Sequence, residues 1–288
     1  MRSSALGAGL VAQTQSGMPT FRLQRPRTAQ EAMDAHEQAP DAVFAAGCTD
    51  LVAQVREGLL VTDLISLRRV TDLSAMTLTD GVLGLGPLLT HDQGATHPLL
   101  RARLPELADA WAAIATVRVR YRATLGGNLM ARRPRYEMPL LLASLEATAL
   151  LCRGQQQRRA PVTDLWSMSD AGPELLRQLL VDTSSLRWFG YERSMRPLLT
   201  VALTIRLASD GLRLSAAVGS EYRAPFLLQH AIDEGSLADA STREVAGEMA
   251  SQVPDWAGDY AGPVGYRRRV VATLLSRQLA AAMKGWRA

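Results

Sequence analysis

The sequence predicts an α+β protein with a small α/β lobe at its N-terminal end, a middle α+β lobe, and a C-terminal lobe of antiparallel strands plus helices. Three observations predict it. Residues 21–67 alternate short apolar runs with helix-like runs, as a β-α-β-α-β unit with a parallel sheet does. From Met76 onward, Asp80-Gly81, Arg153-Gly154 and Asp210-Gly211 each stand between two strand-like runs and mark hairpins. Two distant glycine segments, Ala46-Gly47-Cys48-Thr49-Asp50-Leu51 and Thr124-Leu125-Gly126-Gly127-Asn128, suit one long ligand with a diphosphate at its middle.

In the first lobe, Phe21-Arg22-Leu23 reads as a strand, and Pro26 keeps the residue before it extended. Thr28 caps a helix through Glu37, with Glu31 completing a capping box. Ala42 to Ala46 is a buried strand. The glycine turn follows, then a helix from Leu51 to Gly58, whose first N–H groups and macrodipole favour phosphate. Asp63 to Leu67 is the third strand.

The middle lobe opens with the hairpin Met76–Leu78 and Val82–Gly86. Thr90 and Asp92 begin a helical stretch, and Pro105 to Ile114 is a helix with proline at its first position. Gly126-Gly127 is expected to present successive free amides as an anion nest. Met138 to Leu145 reads as a buried helix, and Ala147–Cys152 with Gln157–Val162 as a second hairpin. A loop, Ser167 to Pro173, leads to a helix-like run, Glu174 to Leu180. In the last lobe, Leu198–Ala208 and Leu212–Val218 form a hairpin, and Pro225–Glu234 and Ser241–Ala250 look helical. Gly265 to Met283 is a long helix whose stripe of Val270, Leu274, Leu275, Leu279 and Met283 belongs to the core. Residues 1–18 are expected to be a tail or a start-site artefact. Residues 19–180 are expected to be one domain of two lobes, 19–75 and 76–180, and residues 181–288 a second domain.

Composition narrows the function. The net charge of +4 and pI of 9.4 are the only features favouring nucleic acid. Aromatic residues make up 5% of the chain, with no regular stacking platform. No run reaches the roughly 18 apolar residues of a membrane span. Two cysteines, Cys48 and Cys152, fit a reducing, cytoplasmic setting and are too few to hold an iron–sulfur cluster. His36, His91, His97 and His230 lack metal spacing and read as surface or helix-end residues. No acid/base pair or nucleophile–histidine arrangement stands out, which suits a protein whose cofactor carries the chemistry.

The chain resembles the FAD-binding medium subunit of molybdenum hydroxylases, the xanthine dehydrogenase and carbon monoxide dehydrogenase group, from about Phe21 to the last helix. The family's Ala-Gly-Gly-Thr-Asp-Leu reads here as Ala46-Gly47-Cys48-Thr49-Asp50-Leu51, and its Thr-Ile-Gly-Gly-Asn as Thr124-Leu125-Gly126-Gly127-Asn128. Its Ile-Gly-Ala reads as Leu85-Gly86-Pro87. Its Ser-Pro-x-x-Asp-x-x-Pro is similar to the segment from Arg133 to Pro139, with Glu137 in the aspartate's place and Pro139 one position early. The late Tyr-Arg-Arg reads as Tyr266-Arg267-Arg268. The resemblance implies FAD between the first two lobes, gripped by both glycine segments. It implies a hetero-oligomer with a molybdopterin-binding large subunit and a [2Fe-2S] small subunit. Electrons would pass from the iron–sulfur subunit through FAD to NAD, oxygen or another acceptor. The alternative is a degenerate, non-catalytic scaffold subunit with weakened or absent FAD binding.

The departures from the family pattern sharpen that alternative. Cys48 replaces a glycine, at a cost of about 1–2 kcal/mol if the position needs φ > 0 and little otherwise. A thiol beside the phosphates is the other reading of Cys48. Glu137 is either an acceptor for a ribityl or ribose hydroxyl or a solvated loop carboxylate. The stretch from Met168 to Glu174, which in the family packs an apolar residue on the flavin ring, looks shortened. Phe189 and Pro197 stand where the family has lysine and aspartate. Arg118, Arg120, Arg122, Arg132, Arg133 and Arg135 surround the second glycine segment. They could offset a diphosphate, meet an acidic partner, or form a solvated basic face.

Overall fold

A computed structural model describes residues 19–166, 174–194, 199–219, 225–233, 241–258 and 262–286. The loop expected at 167–173 and Pro197 lie outside the described residues. The first sheet consists of β1 (Arg22–Gln24), β2 (Val43–Ala45) and β3 (Asp63–Ser66), parallel and in the order β1-β3-β2. Helix α1 (Ala29–Gln38) starts where Thr28 accepts a hydrogen bond from the Glu31 amide at 3.1 Å. The Glu31 carboxylate accepts from the Arg27 amide at 2.7 Å, so the reciprocal half of the capping box falls one residue early. Helix α2 (Leu51–Arg56) follows the first glycine turn.

A five-stranded antiparallel sheet forms the middle of the molecule, in the order β4-β5-β8-β6-β7. Its strands are β4 (Met76–Thr79), β5 (Val82–Leu85), β6 (Thr148–Arg153), β7 (Gln156–Pro161) and β8 (Leu175–Asp182). Asp80 and Gly81, at φ 49° and 78°, form the first hairpin turn as expected. Between β5 and β6 the chain is helical: α3 (His91–Thr96), α4 (Pro98–Arg103), α5 (Pro105–Ala112), α6 (Val117–Arg120), α7 (Leu125–Met130) and α8 (Glu137–Ser144). A second antiparallel sheet, in the order β12-β11-β10-β9, contains β9 (Leu186–Arg193), β10 (Thr200–Ala208), β11 (Gly211–Gly219) and β12 (Phe226–Ile232). Helices α9 (Thr242–Ser251) and α10 (Val264–Trp286) cover one face of it. Leu274, Leu275 and Leu279 of α10 are buried there, with Val270 and Met283 at the edge, as the stripe predicts.

Two expected helices are strands. All of Glu174–Leu180 but its first residue lies in β8, central in its sheet and paired with both β5 and β6. The register slips there: Leu150 faces Gln178 but Leu151 faces Leu176, so Arg177 is an extra residue. That bulge puts Leu176 and Leu179, three residues apart, in the same core, while Leu175 is buried on the opposite face, and the spacing of three imitates a helix. Pro225–Glu234 contains the edge strand β12, bonded on one side to β11. Its apolar residues cluster at 226–228 and 231–232 because only part of its outer face is covered. Strand β9 was not expected from the sequence, where Gly190 interrupts its pattern.

Helix α8 fixes how the two large sheets meet. Every residue from Met138 to Ser144 is buried, because the helix lies between the middle sheet and β10–β11. A helix apolar on all sides needs such a position. Its first residue, Glu137, therefore stands at a fixed point where the helix emerges from the core. Leu179 in β8 is fully buried in the same core. Leu179→Ala should cost about 2–5 kcal/mol, read as a lowered urea midpoint with an unchanged m-value.

Candidate functional site

The first glycine segment is the connection from β2 to α2. A Cβ on Gly47 would lie 1.9 Å from the carbonyl oxygen of Arg122, so this turn rests directly on the backbone leading into the second glycine segment. Cys48 follows at φ 60°, in the left-handed region. Of the two conformations open to this residue, the strained one is realised. The amides of Gly47, Cys48, Thr49 and Asp50 make no hydrogen bond within the described residues. A left-handed residue in such a turn aims successive N–H groups into one concavity suited to an anion. The Cys48 thiol donates to the Ala46 carbonyl at 3.5 Å. Burial raises its pKa, partly opposed by Arg122, so at neutral pH it is a protonated thiol.

The second glycine segment is the first turn of α7. Thr124 caps it, accepting from the Gly127 amide at 3.1 Å. The Leu125 amide donates to Leu89 O at 2.9 Å, the Gly126 amide to Pro87 O at 2.8 Å, and the Asn128 amide to Thr124 O at 2.9 Å. These four amides are committed, so the nest expected at Gly126-Gly127 does not form there. The reason is that residues 87–89 run alongside and take the amides that a bare helix start would leave free. Gly126 instead permits close approach: its Cβ would lie 2.6 Å from that of Pro87.

The two segments face one cleft. A cavity of about 460 Å³ is lined by Ala46, Gly47, Cys48, Thr49, Asp50 and Leu51 from the first segment, and by Thr124, Gly127 and Asn128 from the second. Glu137 and Tyr136 also line it. Leu125 is wholly buried in the core beneath, and Gly126 faces a neighbouring cavity of about 490 Å³. The cavities share Val43, Phe44, Ala46, Gly127 and Met130, which gives an elongated space with two compartments. Each is in the size range of ligand sites. Three of the five non-glycine residues with positive φ among the described residues, Cys48, Ala115 and Arg132, line these compartments. Strain of this kind gathers at functional clefts.

Charged side chains bind the cleft to the rest of the fold. The Asp50 carboxylate accepts from Arg133 Nε at 3.2 Å and from the Tyr136 hydroxyl at 3.1 Å. Glu137 is not a solvated loop carboxylate. It accepts from the Tyr191 hydroxyl and from Arg193 Nη1, the latter at 3.1 Å, and its side chain is only 14% exposed. Tyr191 and Arg193 share one face of β9, and that spacing of two was the signal the sequence offered. Asn128 Oδ1 is buried with no partner among the described residues. Arg120 is spent on the carbonyls of Ile114 and Ala115. His91 is neither surface-exposed nor free: it is 1% exposed, lines the first cavity, and accepts from Trp111 Nε1 at 2.7 Å through Nδ1. Burial, helped by Arg120, lowers its pKa to about 4. Phe189 is buried in the core and supplies no polar group to the cleft. Among the described residues no three His, Cys, Asp or Glu side chains group as a metal site. No helix there is long and apolar enough to cross a membrane.

A cleft of two compartments in an α+β fold, with free turn amides in its first compartment, suits a long cofactor with an anionic centre. The chain belongs to the family described as FAD binding domain in molybdopterin dehydrogenase, whose model matches residues 19–179. The oxidoreductase medium-subunit class follows from that membership together with the relatives. The glyceraldehyde dehydrogenase medium chain of Sulfolobus acidocaldarius is 24% identical over 270 residues, covering 89% of this chain and 96% of that protein. The nicotine 6-hydroxylase medium subunit of Paenarthrobacter nicotinovorans is 25% identical over 277 residues, covering 91% and 97%. The fold matches a chain of quinoline 2-oxidoreductase from Pseudomonas putida 86 with TM-score 0.77 at 24% identity, covering 94% of this chain and 99% of that one.

Two outcomes follow from the geometry. Cys48→Gly should raise stability by about 0.5–1 kcal/mol in urea unfolding, the relief of strain exceeding the added chain entropy. Destabilisation by that variant would mean that the thiol's packing outweighs the strain. For His91, the unfolded chain takes up a proton near pH 6.5 while the folded chain does so only near pH 4. Stability is therefore lost as pH falls between these values, by up to about 3 kcal/mol. His91→Gln should flatten the urea midpoint's dependence on pH over that interval.

Proposed function

We propose that this chain binds FAD across the two compartments and serves as the electron-transfer subunit of a molybdenum hydroxylase complex. The observation that carries the reading is that two glycine segments 77 residues apart, Gly47 and Thr124 among them, line one cleft. The residues fit the group. The free amides of Gly47 to Asp50 would bind the diphosphate. The unpartnered Asn128 Oδ1 would accept from a ribityl hydroxyl, as would the Glu137 carboxylate that Tyr191 and Arg193 hold in place. Thr49 and Thr124 add hydroxyls, and Ala46, Leu51 and Met130 give apolar walls. When bound, the flavin supplies the redox chemistry. The chain orients it, and His91 stays uncharged in the wall at neutral pH, adding no cation to the floor of the site.

In this reading residues 19–75 and 76–180 are the two lobes that enclose the cofactor, and 181–288 is a second domain that buttresses Glu137. A [2Fe-2S] small subunit delivers electrons, a molybdopterin-binding large subunit oxidises the substrate, and NAD, oxygen or another acceptor takes the electrons. The setting is cytoplasmic. The burial of Phe189 at a position where the related pattern has lysine favours a second reading, a scaffold subunit without redox-active flavin. Acid-released FAD near one per chain supports the first reading, and well below one supports the second. Gly126→Val, whose side chain meets Pro87, should remove FAD; if turnover is lost while the complex stays assembled, the scaffold-only reading fails.

A further inference from the structure

Asp50 stands where the first glycine turn enters α2, at the edge of the 460 Å³ cavity. Its two carboxylate oxygens lie 3.2 and 3.4 Å from Arg133 Nε, and the Tyr136 hydroxyl donates to it at 3.1 Å. Gln54 Nε2 donates from within α2 at 2.5 Å and fixes the carboxylate's direction. Arg133 and Tyr136 belong to the segment that follows α7, so these bonds join the two cofactor-facing segments across more than 80 residues of chain. Burial and the neighbouring Asp50 push the Tyr136 phenol up to about 12, so it remains a donor through the neutral range.

We propose that Asp50, Arg133 and Tyr136 form a clasp across the mouth of the cleft, holding the first glycine turn in place and setting the rate at which a bound dinucleotide leaves. The idea of a departing FAD rests on the functional reading above; the clasp's grip on the turn does not. Arg133 is 39% and Asp50 19% exposed, which places the contact at the rim rather than under the ligand. The strain at Cys48 gives the clasp a physical purpose: a left-handed non-glycine turn persists only when surrounding bonds over-determine it. The carboxylate holds Arg133 through Nε, which makes that guanidinium a positioning group for the turn.

The test uses the full chain with Arg133→Gln, Tyr136→Phe and Asp50→Asn. Without ligand, amide exchange in α2 should quicken about fivefold, read at Val52 and Gln54, which bond to Cys48 O and Asp50 O. Exchange in α8 and β10 should stay unchanged. With FAD bound, its release on dilution, followed by flavin fluorescence, should quicken about fivefold with little change in association, and Arg133→Lys should recover part of the loss. Unchanged exchange in α2 overturns the clasp, as does faster exchange with unchanged release. Slower release from Asp50→Asn also overturns it, because the freed Arg133 would then be holding the phosphate itself. If the wild-type chain takes up no FAD, the functional reading fails, and the exchange measurement alone decides the clasp.

Discussion

Gly47 lies so near the Arg122 carbonyl oxygen, and Gly126 so near Pro87, that neither position has room for a Cβ. The rest of the cleft depends on this double contact of bare backbone. It brings the β2–α2 turn against the backbone at 122–123, and the start of α7 against the turn at 87–90, pieces of chain far apart in sequence. Side chains at either glycine would hold these segments apart by the width of a methyl group or more, and the cavity wall would open. The glycines thus act chiefly as spacers of minimum size, and their conformational freedom is secondary: neither has a positive φ. The left-handed role falls to Cys48, whose Cβ makes that conformation strained.

The two segments divide the labour. The β2–α2 turn keeps its amides free and is the polar, strained half of the site. The α7 turn has spent its amides on Leu89, Pro87 and Thr124 and is the rigid half. An anion site needs both: donors not already satisfied, and a backing that does not give way when charge is placed on them. The asymmetry also explains the neutral His91. A cation buried behind the rigid half would have no carboxylate to pair with, and the Trp111 N–H already occupies Nδ1.

The C-terminal sheet reaches the site through one helix. Helix α8 is buried on all sides between the two large sheets, so it cannot shift without repacking both. Glu137 at its start is then held from β9 by Tyr191 and Arg193. A carboxylate so fixed keeps its direction toward the cavity in a way that a loop side chain cannot. This is how a sheet that contributes no residue to the walls of either compartment still influences the site.

Much of this protein was legible where the information is local. The hairpin at Asp80-Gly81, the cap at Thr28, the helix start at Thr90, the stripe of α10 and the two glycine segments each declare themselves within a few residues, because turn angles and capping bonds are short-range. The resemblance in motif order extended that reading to a family. Tertiary structure alone decided the rest. A bulge beside Leu150 gave the central strand β8 a helix-like pattern, an edge position did the same for β12, and only the pairing partners reveal both as strands. Which amides are free, which way Glu137 is held, and that Asp50 meets Arg133 are all settled by contacts between residues far apart in the chain. Sequence fixes which groups a segment can offer; only packing determines which of those groups are already taken.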